Sequence, residues 1–338
     1  MPFEVSVNQH MEYPVITLKD GNTGCEAEIY SFGGLLNAFS IPLKGAHVNV
    51  IEGFSSVAEA KKNITNGFKS TKLSPFVCRM YKGNFRLADK VYHVNKHYLG
   101  EHAIHGLIYD AVYKIVHSEN THTHASITLE HQYDGSDEGY PFPYHTSLNW
   151  KLETENKITI TTTVSHHNVQ PIPFADGWHP YFTLGGKVDD WALQFDSDTQ
   201  LVYNNDLLPT GEMIADTRFL KGSSLQNIIL DNSFELQAAG KCILSNHLLS
   251  LTIEPDNSYP ILQVYTPSHR DSIAIENLSG APDNFNNGIG LILLAQINQK
   301  LLLRATQLQH YSSITAIILI STFTPRGNPF TAIVSRAG

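Results

Sequence analysis

The chain has 338 residues, a mass of 37.6 kDa and a formal charge of −9, with 23 Lys and Arg against 32 Asp and Glu. That balance excludes a nucleic-acid groove, because a phosphate backbone needs a basic stripe that this composition does not supply. Hydrophobic residues at 42% and aromatic residues at 10% exclude a disordered polymer, and the length suffices to bury a core without staples. The 3 cysteines, Cys25, Cys78 and Cys242, show no C-x-x-C spacing and read as free thiols of a reducing compartment. The opening MPFEVSVNQHMEYPVITLKD lacks a signal-peptide pattern, and no apolar run approaches the ~20 residues that span a bilayer. A soluble cytoplasmic protein is expected, without a membrane partner.

Helical periodicity is confined to 55–63 (SSVAEAKKN), opened by a Ser cap and closed near Gly67. A hairpin is predicted at 84–87 and 91–94, joined by Ala88-Asp89-Lys90. Ala125, Ile127 and Leu129 alternate with Ser126, Thr128 and Glu130. Tyr144, Thr146, Leu148, Trp150 and Leu152 likewise alternate with polar neighbours, the period of a half-buried strand. Residues 157–165 (KITITTTVS) are almost purely β-branched and should pair with 142–153 across a short polar turn. Strand-like sequence also runs from Gly290 to about Ala305. Many short strands separated by Gly, Pro, Asn and Asp indicate an all-β antiparallel sandwich or barrel, with no linker dividing it. No acidic residue follows Asp283, and 309–338 shows neither clear period nor turn chemistry. The reading is therefore one domain over 1–308 and an atypical tail over 309–338, a change of reading frame being one possible cause.

The 17 histidines are the first functional hint, since imidazole is both acid and base near neutral pH. His122 and His124 form an H-x-H that would share a strand face, yet no third ligand stands at a matching offset, so no metal is called for. No G-x-S-x-G elbow and no G-x-G-x-x-G after a strand is present. More specific are SPFVCRM at 74–80, HAIHGL at 102–107, GWHPYF at 177–182, LDNSF at 230–234 and IAIENLSGAP at 273–282. Trp178 and Tyr181 beside His179 suit a sugar site, where aromatic faces meet the C–H faces of a pyranose. Glu276 closes an apolar alternation with Ile273 and Ile275, so partial burial should raise its pKa. Arg79, always charged, could orient hydroxyls.

Taken in order from about Ala27 to Leu294, these segments resemble the aldose 1-epimerase (galactose mutarotase) family. The resemblance implies a β-supersandwich with a sugar cleft across one sheet. It implies Glu276 as general base and His179 as general acid, with Arg79, His105 and Asp231 holding the ring oxygen and hydroxyls. Departures are W-H-P-Y-F where N-H-x-Y-F is usual, Leu107 in place of the second Gly of H-G-G, and 295–300 in place of a Pro-Gly turn. The implied activity is interconversion of the α- and β-anomers of a hexose such as glucose or galactose, in a monomer or homodimer. It needs two proton-transfer groups and no cofactor. Two alternatives stay open: a hexose-6-phosphate epimerase, which would need a second cation beside the cleft, and a sugar-binding module without turnover.

Overall fold

The computed structural model describes residues 1–9, 12–238 and 240–295, and the backbone of 313–322. Its large sheets are antiparallel, as the sandwich reading requires. The strand Tyr144–Glu153 shows why: its buried and half-buried residues alternate strictly, so every second side chain enters the core. It pairs with His124–Tyr133 on one side and with Lys157–Ser165 on the other, the latter through a turn at Thr154–Asn156. The hairpin Asn84–Leu87 with Lys90–His93 forms as predicted, one residue earlier in its second arm. The predicted helix is Val57–Asn63. Ser56 Oγ accepts from the Glu59 amide, and the Glu59 carboxylate accepts from the Ser55 amide, a reciprocal cap.

Two sheets frame the site. A nine-stranded sheet includes His124–Tyr133, Tyr144–Glu153 and Lys157–Ser165. A second sheet runs through Thr199–Tyr203, Asp231–Glu235, Ile261–Tyr265, Ile273–Leu278, Gly177–Trp178 and Lys72–Leu73. One apolar cluster extends from Phe3 to Phe285 and includes Trp150, Trp178 and Trp191. Inside it lies a buried ion pair, Lys72 Nζ to Asp176 Oδ2 at 2.6 Å. Thr162 Oγ1 of the nine-stranded sheet accepts from Lys72 at 3.0 Å, and the Tyr259 hydroxyl donates to Asp176 at 2.7 Å. The pair is tolerable in an apolar interior because its charges neutralise each other and draw these further bonds.

Ten residues of the tail join the fold. Ser313–Thr322 is a strand in the middle of the nine-stranded sheet, paired with Lys157–Ser165 and with Leu249–Pro255. Its β-branched run, SITAIILIST, has the composition of a strand interior, which outweighs the missing turn signals. Residues 309–312 and 323–338 lie outside the described residues. Of the strand expected over 290–305, Ile292–Leu294 forms and pairs with Ile172–Phe174. The remainder from 296 onward again lies outside them. No helix among the described residues is long and apolar enough to cross a membrane.

Candidate active site

Strand register places the polar residues of the second sheet. Gln263 stands opposite both Glu276 and Ser233, and Asp231 stands opposite Tyr265. Directly paired residues share a face, and so do residues two apart, so Asp231, Ser233, Gln263, Tyr265 and Glu276 all project to one side. The alternate residues Leu262, Val264 and Ile275 project into the core, each 0% exposed.

The same parity separates Trp178 from its neighbours. Trp178 pairs with Asn277 and Tyr181 with Ala274, so Trp178 is on the core side while Tyr181 follows Glu276. His179, the next residue after Trp178, also turns to the Glu276 side. Its amide donates to Thr71 O, and its carbonyl accepts from the Ser70 amide. Trp178 is spent on packing: its ring meets Trp150 edge-on and its Nε1 donates to Ser70 O. It is therefore not a sugar-stacking residue, and the sequence expectation is corrected on that point.

Arg79 and His105 arrive from a smaller sheet, where Arg79–Met80 pairs with His102–Ile104. The His105 amide donates to Cys78 O, and Gly106 bridges to Ser74. Gly106 has φ +77°, and a Cβ there would lie 2.2 Å from Ser74 O, so the glycine of H-G-L is sterically required. Cys78 at φ 49° and His105 at φ 62° are also left-handed without being glycine. Such conformations cluster where surrounding structure holds a functional geometry.

These elements enclose a cavity of about 340 Å³ lined by Arg79, His105, His179, Tyr181, Asp231 and Glu276. Gln263, Tyr203, His97 and Cys78 line it too and were not singled out by the sequence. His179 Nε2 lies 3.4 Å from Glu276 Oε1. Tyr181 stacks on His179 with centroids 5.1 Å apart, and His105 meets it edge-on at 5.0 Å. Gln263 could have been found, because it is the one polar residue inside the apolar run ILQVY.

Burial dominates the electrostatics. Glu276, 2% exposed, is pushed well above the usual carboxylate range, first by desolvation and then by the nearby Asp231 charge. Desolvation pulls His179 down to about 4. His105 is also pulled well below its usual value by burial, then by His179, Arg79 and His97. Asp231 is raised by burial, with Arg79 and the Gln263 amide opposing the shift. Burial thus works against the charged form of both Glu276 and His179. The imidazole Nδ1 atoms of His105 and His179 are buried with no protein partner among the described residues. The H-x-H reading fails on geometry. His122 lies in a bend before the strand, and His124 Nε2 meets Glu119 Oε2 at 3.1 Å. Among the described residues no group of three or more His, Cys, Asp or Glu gathers as a metal site.

An antiparallel sandwich with a buried His–Glu pair on the wall of a polar cavity defines the class, and comparison with known proteins supplies the family. The Aldose 1-epimerase family matches residues 14–299, and the chain belongs to that family, an enzyme of the isomerase class. It is 26% identical over 243 residues to the protein YihR of Escherichia coli, covering 66% of this chain and 73% of that one. A maltose epimerase from Levilactobacillus brevis is 22% identical over 258 residues, covering 73% and 72%. Among solved structures, galactose 1-epimerase from Lactobacillus acidophilus superposes with a TM-score of 0.77 at 18% identity, covering 95% of this chain and 98% of that one.

Proposed function

We propose that this chain is a mutarotase that interconverts the α- and β-anomers of a free hexose such as glucose or galactose, with Glu276 and His179 as its proton-transfer pair. The observation that carries the reading is the 3.4 Å approach of His179 Nε2 to Glu276 Oε1 on the wall of the cavity that Arg79, His105 and Asp231 also line. Glu276 as carboxylate takes the proton from the anomeric hydroxyl while His179 as imidazolium gives one to the ring oxygen. The C1–O5 bond breaks and C1 becomes an aldehyde. Rotation about C1–C2 presents the other face. O5 then attacks C1, returns its proton to His179, and the new anomeric oxygen takes one from Glu276. Each transfer is of the kind that supplies about 10²–10⁴-fold.

A neutral Glu276–His179 pair and the charged pair of this scheme hold the same number of protons. Transfer of one proton from Glu276 to His179 makes the reactive form, and the reversible reaction uses both groups in both roles. Arg79, His105 and Asp231 are proposed to hold hydroxyls and the ring oxygen, and Tyr181 to support the His179 ring. Among the described lining residues Arg79 is the single Lys or Arg, against two carboxylates. This charge balance favours a free sugar over a hexose 6-phosphate. The three cysteines are unpaired and buried, which suits a reducing, cytoplasmic setting.

Polarimetry of freshly dissolved α-glucose and α-galactose tests the reading. Acceleration over the spontaneous rate, abolished by Glu276→Gln, supports it. Saturable sugar binding with no acceleration would establish a binding module instead.

A further inference from the structure

Gln263 belongs to a buried polar network whose direction can be read from its atoms. Its Oε1 lies 2.5 Å from Ser233 Oγ and 3.0 Å from the Tyr203 hydroxyl, and those two hydroxyls are 2.5 Å apart, so one of them donates to the other and the pair together donates to Oε1. Its Nε2 donates to Asp231 Oδ1 at 2.8 Å. Gln263 is 5% exposed and Ser233 0%, so bulk water has little access to the bonds between them. An amide offers an acceptor at one end and two donors at the other. Turning it over would set a carbonyl against the Asp231 carboxylate and would leave two hydroxyls without their shared acceptor. Buried polar groups left in that state are costly. One amide hydrogen of Gln263 and Asp231 Oδ2 have no protein partner among the described residues, and both residues line the cavity.

We propose that Tyr203 and Ser233 are positioning residues that fix which end of the Gln263 amide faces the ligand, so that this wall offers one donor beside one acceptor. The inference rests on the sugar-cavity reading and adds what the wall selects: an unsubstituted hydroxyl, or a neighbouring pair, that donates to Asp231 and accepts from Gln263. A hexose fluorinated or O-methylated at that position cannot donate and is discriminated against.

A double-mutant cycle decides it. Tyr203→Phe/Ser233→Ala and Gln263→Leu are made singly and together. Polarimetry gives kcat and KM, and calorimetry gives hexose affinity independently of turnover. The expected result is a loss of about tenfold in kcat/KM for Tyr203→Phe/Ser233→Ala, carried by KM, the size of roughly one well-made hydrogen bond. In the Gln263→Leu background the same pair adds less than about twofold, because its route to the sugar is gone. A role confined to folding would lower the melting temperature and leave the KM-to-kcat split untouched. Parent-like KM in Tyr203→Phe/Ser233→Ala, or the full tenfold repeated in the Gln263→Leu background, overturns the proposal. If the paired variant does not fold, Tyr203→Phe alone is taken through the cycle on the same criteria. A parent enzyme that neither binds nor turns over any hexose refutes the mutarotase reading. A parent that binds, with an additive cycle, refutes only the positioning role.

Discussion

His179 Nε2 lies 3.4 Å from Glu276 Oε1, with both side chains withdrawn from water. They reach that distance from strands almost a hundred residues apart in sequence, because the Gly177–Trp178 strand pairs beside Ile273–Leu278. In the proposed scheme these two groups pass protons to and from one bound sugar.

Removing either member should therefore disable the chemistry without emptying the cavity. Glu276→Gln and His179→Asn are each expected to lower kcat by about 10²–10⁴-fold. KM should stay near the parent's, since Arg79, His105 and Asp231 remain. Polarimetry corrected for the spontaneous rate measures both constants. Parent-like kcat in both variants would end the assignment.

The pH profile follows from the directions of the shifts. The proposed scheme requires the pair to hold a single proton. A second proton binds only as pH falls toward about 4, the value to which burial pulls His179. The last proton leaves only above the raised value of Glu276. The acid limb of kcat/KM is thus expected near 4 and not near the ordinary imidazole value of about 6.5. An acid limb centred at or above that ordinary value contradicts the shared-proton account.

Stability should respond to the loss of Glu276 in the opposite sense to activity. Glu276 has a folded pKa above its unfolded one, so its contribution is full at low pH and is lost as pH rises through the folded value. Glu276→Gln removes that penalty and is expected to stabilise the protein at about pH 8 by on the order of 1–3 kcal/mol, and less at about pH 5. His179 has the other sign: its depressed pKa gives stability that is lost as pH falls from roughly 6.5 toward the folded value. With Glu276 neutralised nothing offsets that loss, and the acid side of the stability curve steepens. Thermal melts across the range give both slopes, and a Glu276→Gln variant less stable than the parent at about pH 8 refutes the burial argument.

Much of this site is legible in the sequence, and the failures have a common cause. Arg79, His105, His179, Asp231 and Glu276 stand in short motifs whose residue types suit sugar chemistry, and all five line one cavity. Trp178 and Tyr181 look equivalent beside His179 in sequence. They differ by strand parity, which pairing with Asn277 and Ala274 fixes and local sequence does not. Gln263 was overlooked because a lone amide in an apolar strand gains meaning only opposite Glu276. The strand Ser313–Thr322 has no flanking turn signal and is marked in the sequence by its β-branched content alone.

The Trp178 correction has its own test. Trp178→Phe keeps an aromatic ring in the core but loses the bond from Nε1 to Ser70 O. A stability loss of about 1–3 kcal/mol is expected, from the smaller ring and the unpaired carbonyl. KM should move by less than about twofold. A KM raised tenfold in a fully folded variant would return Trp178 to the sugar wall.

Gly106→Ala should be more damaging than its size suggests. The new Cβ would sit 2.2 Å from Ser74 O at φ +77°. The backbone must shift, and His105 is its immediate neighbour. A loss of about 1–3 kcal/mol in stability is expected together with a rise in KM. Circular dichroism melts and polarimetry measure the two effects, and parent-like values in both would show the contact to be relieved.

Alternation along two neighbouring strands also sets the terms on which this enzyme could be re-engineered. Residues 231, 263, 265 and 276 open onto the cavity, while 262, 264, 275 and 277 answer to the opposite layer of the sandwich. A library randomising contiguous stretches would spend half its diversity breaking the core. One that visits every second codon around the Asp231 wall keeps the scaffold and samples new sugars. The insertion of a single amino acid into either strand would exchange the two sets wholesale.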